Sequence, residues 1–204
     1  MGKQNHERAK FLTVANLLTL LRILLIWPFV YLIALGNHGA ALAVFFLASV
    51  SDFGDGYIAR RFGQQTAVGR FLDPLADKAL TTAAYVVMAL PRPAVPSIPI
   101  WLSAAVIGRD VLILAGSLVI YFAIGYREFK PSMAGKVNTT VELGLIVYFL
   151  AVHAFEALAF LKAPLTLCYF VVLGTVIVSS ISYARIGRSI IKEEIKKKEV
   201  ENNR

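Results

Sequence analysis

Residues 51–78 read SDFGDGYIARRFGQQTAVGRFLDPLADK. They hold Asp52, Asp55, Asp73 and Asp77, four of the five aspartates in a chain of 204 residues; the fifth is Asp110. Apolar runs lead up to the stretch and away from it. They reach the roughly 20 residues that a membrane-crossing helix needs. Of the chain, 57% is hydrophobic, with a mean hydropathy of +0.66. Together these features predict an all-α polytopic membrane protein. A carboxylate is expensive in hydrocarbon, so four of them in one short stretch need a common task.

Helical periodicity suggests that task. Residues three and four apart share a helix face, so Asp52, Asp55, Gly56, Ala59 and Arg60 form one stripe. Gly69, Asp73 and Asp77 form another. The polar link RRFGQQTA between them lets two antiparallel helices face each other, which would bring the four carboxylates to one point. Like charges that close cannot all ionise without compensation. Hard divalent cations provide it, and Mg²⁺ in particular is held by a few carboxylates plus substrate phosphates. Two such ions clamp an in-line displacement at phosphorus. Gly56, Ala59 and Gly69 leave room on the same faces, and Arg60 stands where it can meet a phosphate bidentately. The plainer reading pairs the acids with Arg60, Arg70, Lys78 and Arg109 inside a bundle, but buried pairs rarely cluster at this spacing.

The order Asp52-x2-Asp55-Gly56-x2-Ala59-Arg60-x8-Gly69-x3-Asp73-x3-Asp77 resembles the signature of the CDP-alcohol phosphotransferases at every fixed position. These are integral membrane enzymes that transfer a phosphatidyl or phosphoalcohol group out of a CDP-linked donor. The resemblance implies two Mg²⁺ ions, with Mn²⁺ as the alternative, held by the four aspartates. It makes Asp77 the candidate general base and gives Gly56, Ala59, Arg60 and Gly69 to the CDP site. Asp77 as a metal ligand alone is the other option.

Six spans are expected, at about 13–35, 40–62, 67–90, 100–124, 137–158 and 164–188. They form one domain over residues 1–190, in which residues 1–12 are an interfacial segment. Residues 191–204 are a charged tail, either helical or disordered. Residues 37–39 read as a short turn, and Pro74 is expected to bend the third span. Asn16, Thr19 and Arg22 in the first span resemble the first helix of bacterial phosphatidylglycerophosphate synthases, close to the active site. This gives Asn16 and Thr19 to the donor and Arg22 to the acceptor. Their plainer roles are interhelical hydrogen bonding and snorkelling. The single cysteine, Cys168, reads as a packing residue. The three histidines, His6, His38 and His153, show no metal-ligand spacing.

The net charge of +8 does not call for nucleic acid. Of 21 Lys and Arg, 15 lie at the N-terminus, in the loops 60–66 and 125–136, and from Arg185 onward. Two, Arg92 and Lys162, lie in loops of the opposite parity, and four lie within spans. The positive-inside rule then puts both termini in the cytoplasm, as in a bacterial inner-membrane protein. The acidic stretch and a polar, metal-containing cleft fall on that same side.

The acceptor is read from cations. Arg22, Arg109, Lys136, Asn138 and Arg185 are its candidate residues. The segment GKVNT (135–139) resembles the GK-x-K-T segment of phosphatidylglycerophosphate synthases, but Asn138 stands where those carry a second lysine. Ser117 stands where they carry an arginine. GRDVLI (108–113) with KPSMAGKVNT (130–139) is more similar to cardiolipin synthases of the eukaryotic type. Fewer cations fit a phosphodiester, so phosphatidylglycerol is expected narrowly ahead of glycerol 3-phosphate, with CDP-diacylglycerol as donor. Family resemblance also suggests a homodimer among membrane lipids. An ion-coupled transporter is the reading from another class, since carboxylates also line proton paths. Against it, the acids sit in one stretch and the chain shows no internal repeat.

Overall fold

The computed structural model describes the backbone of residues 14–49, 69–93, 95–124 and 132–202. Side chains are described there except at 14–19, 69–77, 121, 123–124 and 193–202. All regular structure in these residues is helical, apart from an isolated bridge between Arg92 and Val95. The helices are α1 (Val14–Ala34), α2 (described over His38–Ser49), α3 (Gly69–Ala89), α4 (Ile100–Ile124), α5 (Met133–Ala154) and α6 (Leu165–Asn202). A 3₁₀ segment, Glu156–Lys162, joins α5 to α6.

Three of these contain segments long and apolar enough to cross a membrane: Ile100–Ile120, Met133–Ala154 and Leu165–Lys192. Leu20–Ala34, His38–Ser49 and Lys78–Ala89 are apolar but shorter over the described residues. Exposure is inverted relative to a water-soluble protein. Trp27, Leu112, Phe122 and Met133 face outward, while Arg22, Arg109, Asn138 and Glu142 are buried. Hydrocarbon outside and polar contacts inside produce that distribution.

The chain divides into two compact units. The first comprises Met1–Ile98 with Val147–Lys162, the second Pro99–Ile146 with Ala163–Arg204. In the first, α1 packs on α3. Phe29, Ile33, Phe45, Leu80, Tyr85 and Met88 are among its buried residues. Phe29 and Phe45 meet at 5.6 Å between ring centroids. In the second unit α4 packs on α6, where Leu102, Val106, Tyr169, Val172 and Val176 are buried.

The corner between α1 and α2 is tighter than the predicted turn at 37–39, because local chemistry closes it sooner. Gly36 adopts a left-handed φ of 72°. The Gly36 amide donates to the Ile33 carbonyl and the Asn37 amide to the Leu32 carbonyl, at 3.0 and 2.9 Å. This is the Schellman arrangement, whose left-handed position favours glycine. Asn37 then caps the next helix, its Oδ1 accepting from the Ala40 amide at 3.1 Å. His38 and Gly39 are therefore already helical.

Helix α5 starts four residues earlier than the 137 expected and ends at Ala154 rather than 158. Ser132 causes the early start, since its Oγ accepts from the Gly135 amide at 3.0 Å. The 3₁₀ segment after α5 is tied down by Tyr148, whose hydroxyl donates to the Leu161 carbonyl at 2.7 Å. Of the two forms left open for the tail, the helical one is observed, because α6 runs unbroken to Asn202. At 1.5 Å per residue this helix is about 57 Å long, well beyond a hydrocarbon core of about 30 Å. Helix α3 passes through Pro74 with no break in its helical backbone.

Replacing Phe29 by Ala should lower thermal stability in detergent by an amount equivalent to about 3–5 kcal/mol, the range for emptying a buried aromatic site. Trp27→Ala, two residues away and exposed, should stay within about 0.5 kcal/mol of the parent. Parallel melting curves of the two variants test the assigned face of α1.

Candidate active site

The expected site residues fall into three groups. Asp52, Asp55, Gly56, Ala59 and Arg60 lie outside the described residues. Asn16 and Thr19 are on α1, and Gly69, Asp73 and Asp77 are on α3. For these only the backbone is described. The α3 backbone starts at Gly69 and puts Asp73 and Asp77 on successive turns of the same face, as the i, i+4, i+8 spacing requires. The remaining residues have side chains that can be followed.

Arg22 is 1% exposed on α1, within the first unit. The others belong to the second unit. There Arg109 is 5% exposed. Its Nη1 donates to Asp110 Oδ1 at 2.6 Å, and its Nη2 donates to Ser179 Oγ at 2.5 Å. The guanidinium also lies over the Tyr183 ring, 5.6 Å from the centroid. Tyr183 in turn sits against Gly135 of α5, so closely that a Cβ on residue 135 would come within 2.7 Å of its hydroxyl. A side chain at 135 would have to displace the end of the Tyr183 ring. One polar seam therefore runs from α4 through α6 to α5.

One turn beyond Gly135, Asn138 is completely buried and its Nδ2 donates to Glu142 Oε1 at 2.6 Å. Glu142 is equally buried. Lys136 and Arg185, expected beside the acceptor, are exposed. Cys168, expected to pack inside, is only half-buried.

Ser179, Tyr183 and Glu142 were not among the expected site residues. Glu142 had a legible signal: a lone carboxylate in an apolar helix, four residues after an asparagine, must find a partner on its own face. Ser179 and Tyr183 had none, because only the packing of α6 on α4 brings them to Arg109. Among the described residues, no three of His, Cys, Asp or Glu come together as a metal cluster. The side chains of the four aspartates are outside that set.

A family model for CDP-alcohol phosphatidyltransferases matches residues 12–183, most of the chain and all of the acidic stretch. The chain belongs to that family. It is 33% identical over 196 residues to human cardiolipin synthase (CMP-forming), an alignment covering 88% of this chain and 63% of the relative. It is 34% identical over 197 residues to a cardiolipin synthase/mitochondrial hydrolase fusion protein of Schizosaccharomyces pombe, covering 88% of this chain and 32% of that protein. A probable phosphatidylglycerophosphate synthase of Mycobacterium tuberculosis is 35% identical over 152 residues, 69% of this chain and 68% of the relative. The chain thus spans less than two thirds of the length of the two cardiolipin synthase relatives.

Breaking a buried ion pair from one side costs about 3–5 kcal/mol, because an uncompensated charge remains. Asp110→Leu should therefore destabilise the protein by that order. The double variant Arg109→Met/Asp110→Leu should recover much of the loss. Thermal unfolding of the three proteins in one detergent checks this, and equal melting of the single and double variants would contradict it.

Proposed function

We propose that the chain is an integral membrane enzyme of phospholipid synthesis. It moves the phosphatidyl group of CDP-diacylglycerol onto a hydroxyl of a glycerol-type acceptor and releases CMP. Phosphatidylglycerol is the favoured acceptor and glycerol 3-phosphate the second. Six spans, cytoplasmic termini, a bacterial inner membrane and a homodimer belong to the same reading.

The observation that carries the choice of acceptor is the engagement of Arg109. Its guanidinium is held by Asp110 and Ser179, and Asn138 is held by Glu142. A phosphate monoester is recognised by cations free to donate to it, and this seam has its arginine already neutralised. A phosphodiester with a glycerol head group asks for less positive charge. The names of the relatives, cardiolipin synthase and phosphatidylglycerophosphate synthase, support the same two candidates.

Asp52, Asp55, Asp73 and Asp77 would hold two Mg²⁺ ions, with Mn²⁺ as the alternative. The fit rests on the donor set, four carboxylates with hard oxygen atoms, and on the α3 backbone that carries Asp73 and Asp77 one turn apart. Bound there, such ions neutralise charge on the donor's diphosphate. Asn16, Thr19, Gly56, Ala59, Arg60 and Gly69 line the donor side, with Arg60 on phosphate. Arg22, Arg109, Lys136, Asn138 and Arg185 serve the acceptor side. Asp77 accepts the proton of the acceptor hydroxyl. That oxygen bonds to the phosphatidyl phosphorus as the phosphorus–oxygen bond to CMP breaks, and the pair of electrons leaves with CMP.

Purified protein given radiolabelled CDP-diacylglycerol and Mg²⁺, with phosphatidylglycerol or glycerol 3-phosphate in parallel, should release CMP and form cardiolipin. Phosphatidylglycerophosphate as the main product would overturn the acceptor. No CMP with either alcohol would overturn the reaction and favour the transporter. Asn at position 52, 55 or 73, or removal of divalent ions by EDTA, should abolish turnover while the protein still inserts, and added Mg²⁺ should rescue only the chelated parent.

A further inference from the structure

Two of the three histidines, 115 residues apart in sequence, meet in the first unit. The rings of His38 and His153 lie 5.5 Å apart between centroids, tilted by 40°. His38 is the first residue of α2, directly after the Gly36–Asn37 corner, and is 6% exposed. His153 is in the last turn of α5. Gly39 stands against Ala154, where even a Cβ would meet only the Ala154 methyl at 3.7 Å, so the two helix ends pack directly.

The hydrogen bonds of the two rings define their free atoms. Nδ1 of His153 is 2.8 Å from the Phe149 carbonyl, which can only accept, so Nδ1 carries the proton. Nε2 of that ring is then a lone pair. At His38, Nε2 is buried with no partner among the described residues. Each imidazole thus presents a bare Nε2, and the His153 ring is held at its other nitrogen by a backbone carbonyl. Metal-binding histidines are oriented in just this way. Two imidazoles on one tetrahedral ion, at about 2.0–2.1 Å per nitrogen, hold their centroids roughly 5 Å apart. The observed centroid separation of 5.5 Å is close to that value.

We propose that His38 and His153 form a site for a borderline divalent cation such as Zn²⁺ or Cu²⁺, which ties the α1–α2 corner to the end of α5. Imidazole suits these ions, whereas the four aspartates suit Mg²⁺. The two sites are also separate. Asp77 lies 12 residues before the last residue of α3, about 18 Å along the helix axis. The loop that follows α3 folds back on the His38 end: the Ile98 amide bonds the Met88 carbonyl at 2.8 Å, and Val95 stands beside Gly36. Phe149 packs on both rings and leaves them an apolar wall. Lys162 acts electrostatically on both rings. It is exposed, so its ammonium is solvated while it opposes the bound cation. With two protein ligands, the remaining positions fall to water and the ion is exchangeable.

The test uses tag-free, full-length protein in detergent, with excess Mg²⁺ to occupy the carboxylates. One equivalent of Cu²⁺ is added as a spin probe. Electron paramagnetic resonance should report coupling to two imidazole nitrogens. His38→Gln and His153→Gln should each lose that two-nitrogen signal yet retain Mg²⁺-dependent CMP release, while Asp73→Asn should keep the signal. Should a histidine variant misfold, the parent alone decides. Zn²⁺ should raise its melting temperature, and Ca²⁺ at the same concentration, which prefers oxygen ligands, should leave it unchanged. Absence of nitrogen coupling in the parent would overturn the site and leave two rings that merely pack. A signal that persists in both glutamine variants and disappears in His6→Gln would overturn it equally.

Discussion

The cost of a polar or charged group in hydrocarbon governs everything else in this molecule. It makes the backbone helical, because a helix satisfies its own amides without water. It also turns the side chains inside out, with Trp27, Leu112 and Phe122 outside and Arg22, Arg109, Asn138 and Glu142 inside. Each buried polar group must then meet another. Arg109 has Asp110, Ser179 and the Tyr183 face, and Asn138 has Glu142. These contacts define the polar seam of the second unit.

The same cost gives the acidic stretch its meaning. Four aspartates beside apolar helices persist only if something neutralises them. In the proposed reaction that neutralising charge would sit where a bond to phosphorus breaks. Family membership, over residues 12–183, gives the arrangement a class of chemistry. Within that class, the proposed choice of acceptor rests on the engagement of Arg109 by its neighbour in sequence.

The first unit has different chemistry at its two ends. Hard oxygen donors lie near the start of α3, and two imidazoles meet where the α1–α2 corner touches the end of α5. Ligand softness would keep the two proposed sites apart where divalent ions mix. A cation at the histidine end would act on the packing of helix ends and not on the phosphoryl reaction. The Schellman corner at Gly36 is what delivers His38 to that position.

Much of this was legible in the chain alone. Apolar runs marked the helices near their observed bounds, the i, i+4, i+8 spacing put Asp73 and Asp77 on one face of α3, and eight fixed residues carried the family. All of these are local: one helix turn or one run of residues suffices to specify them. Helix ends shifted where a side-chain cap decided them, as at Ser132 and Asn37. What only tertiary structure decided were the pairings across helices. Ser179 and Tyr183 reach Arg109 across 70 residues or more, and His38 meets His153 across 115. No sequence period encodes such meetings. They follow from which helix faces pack together, and that is set by the summed burial of many side chains.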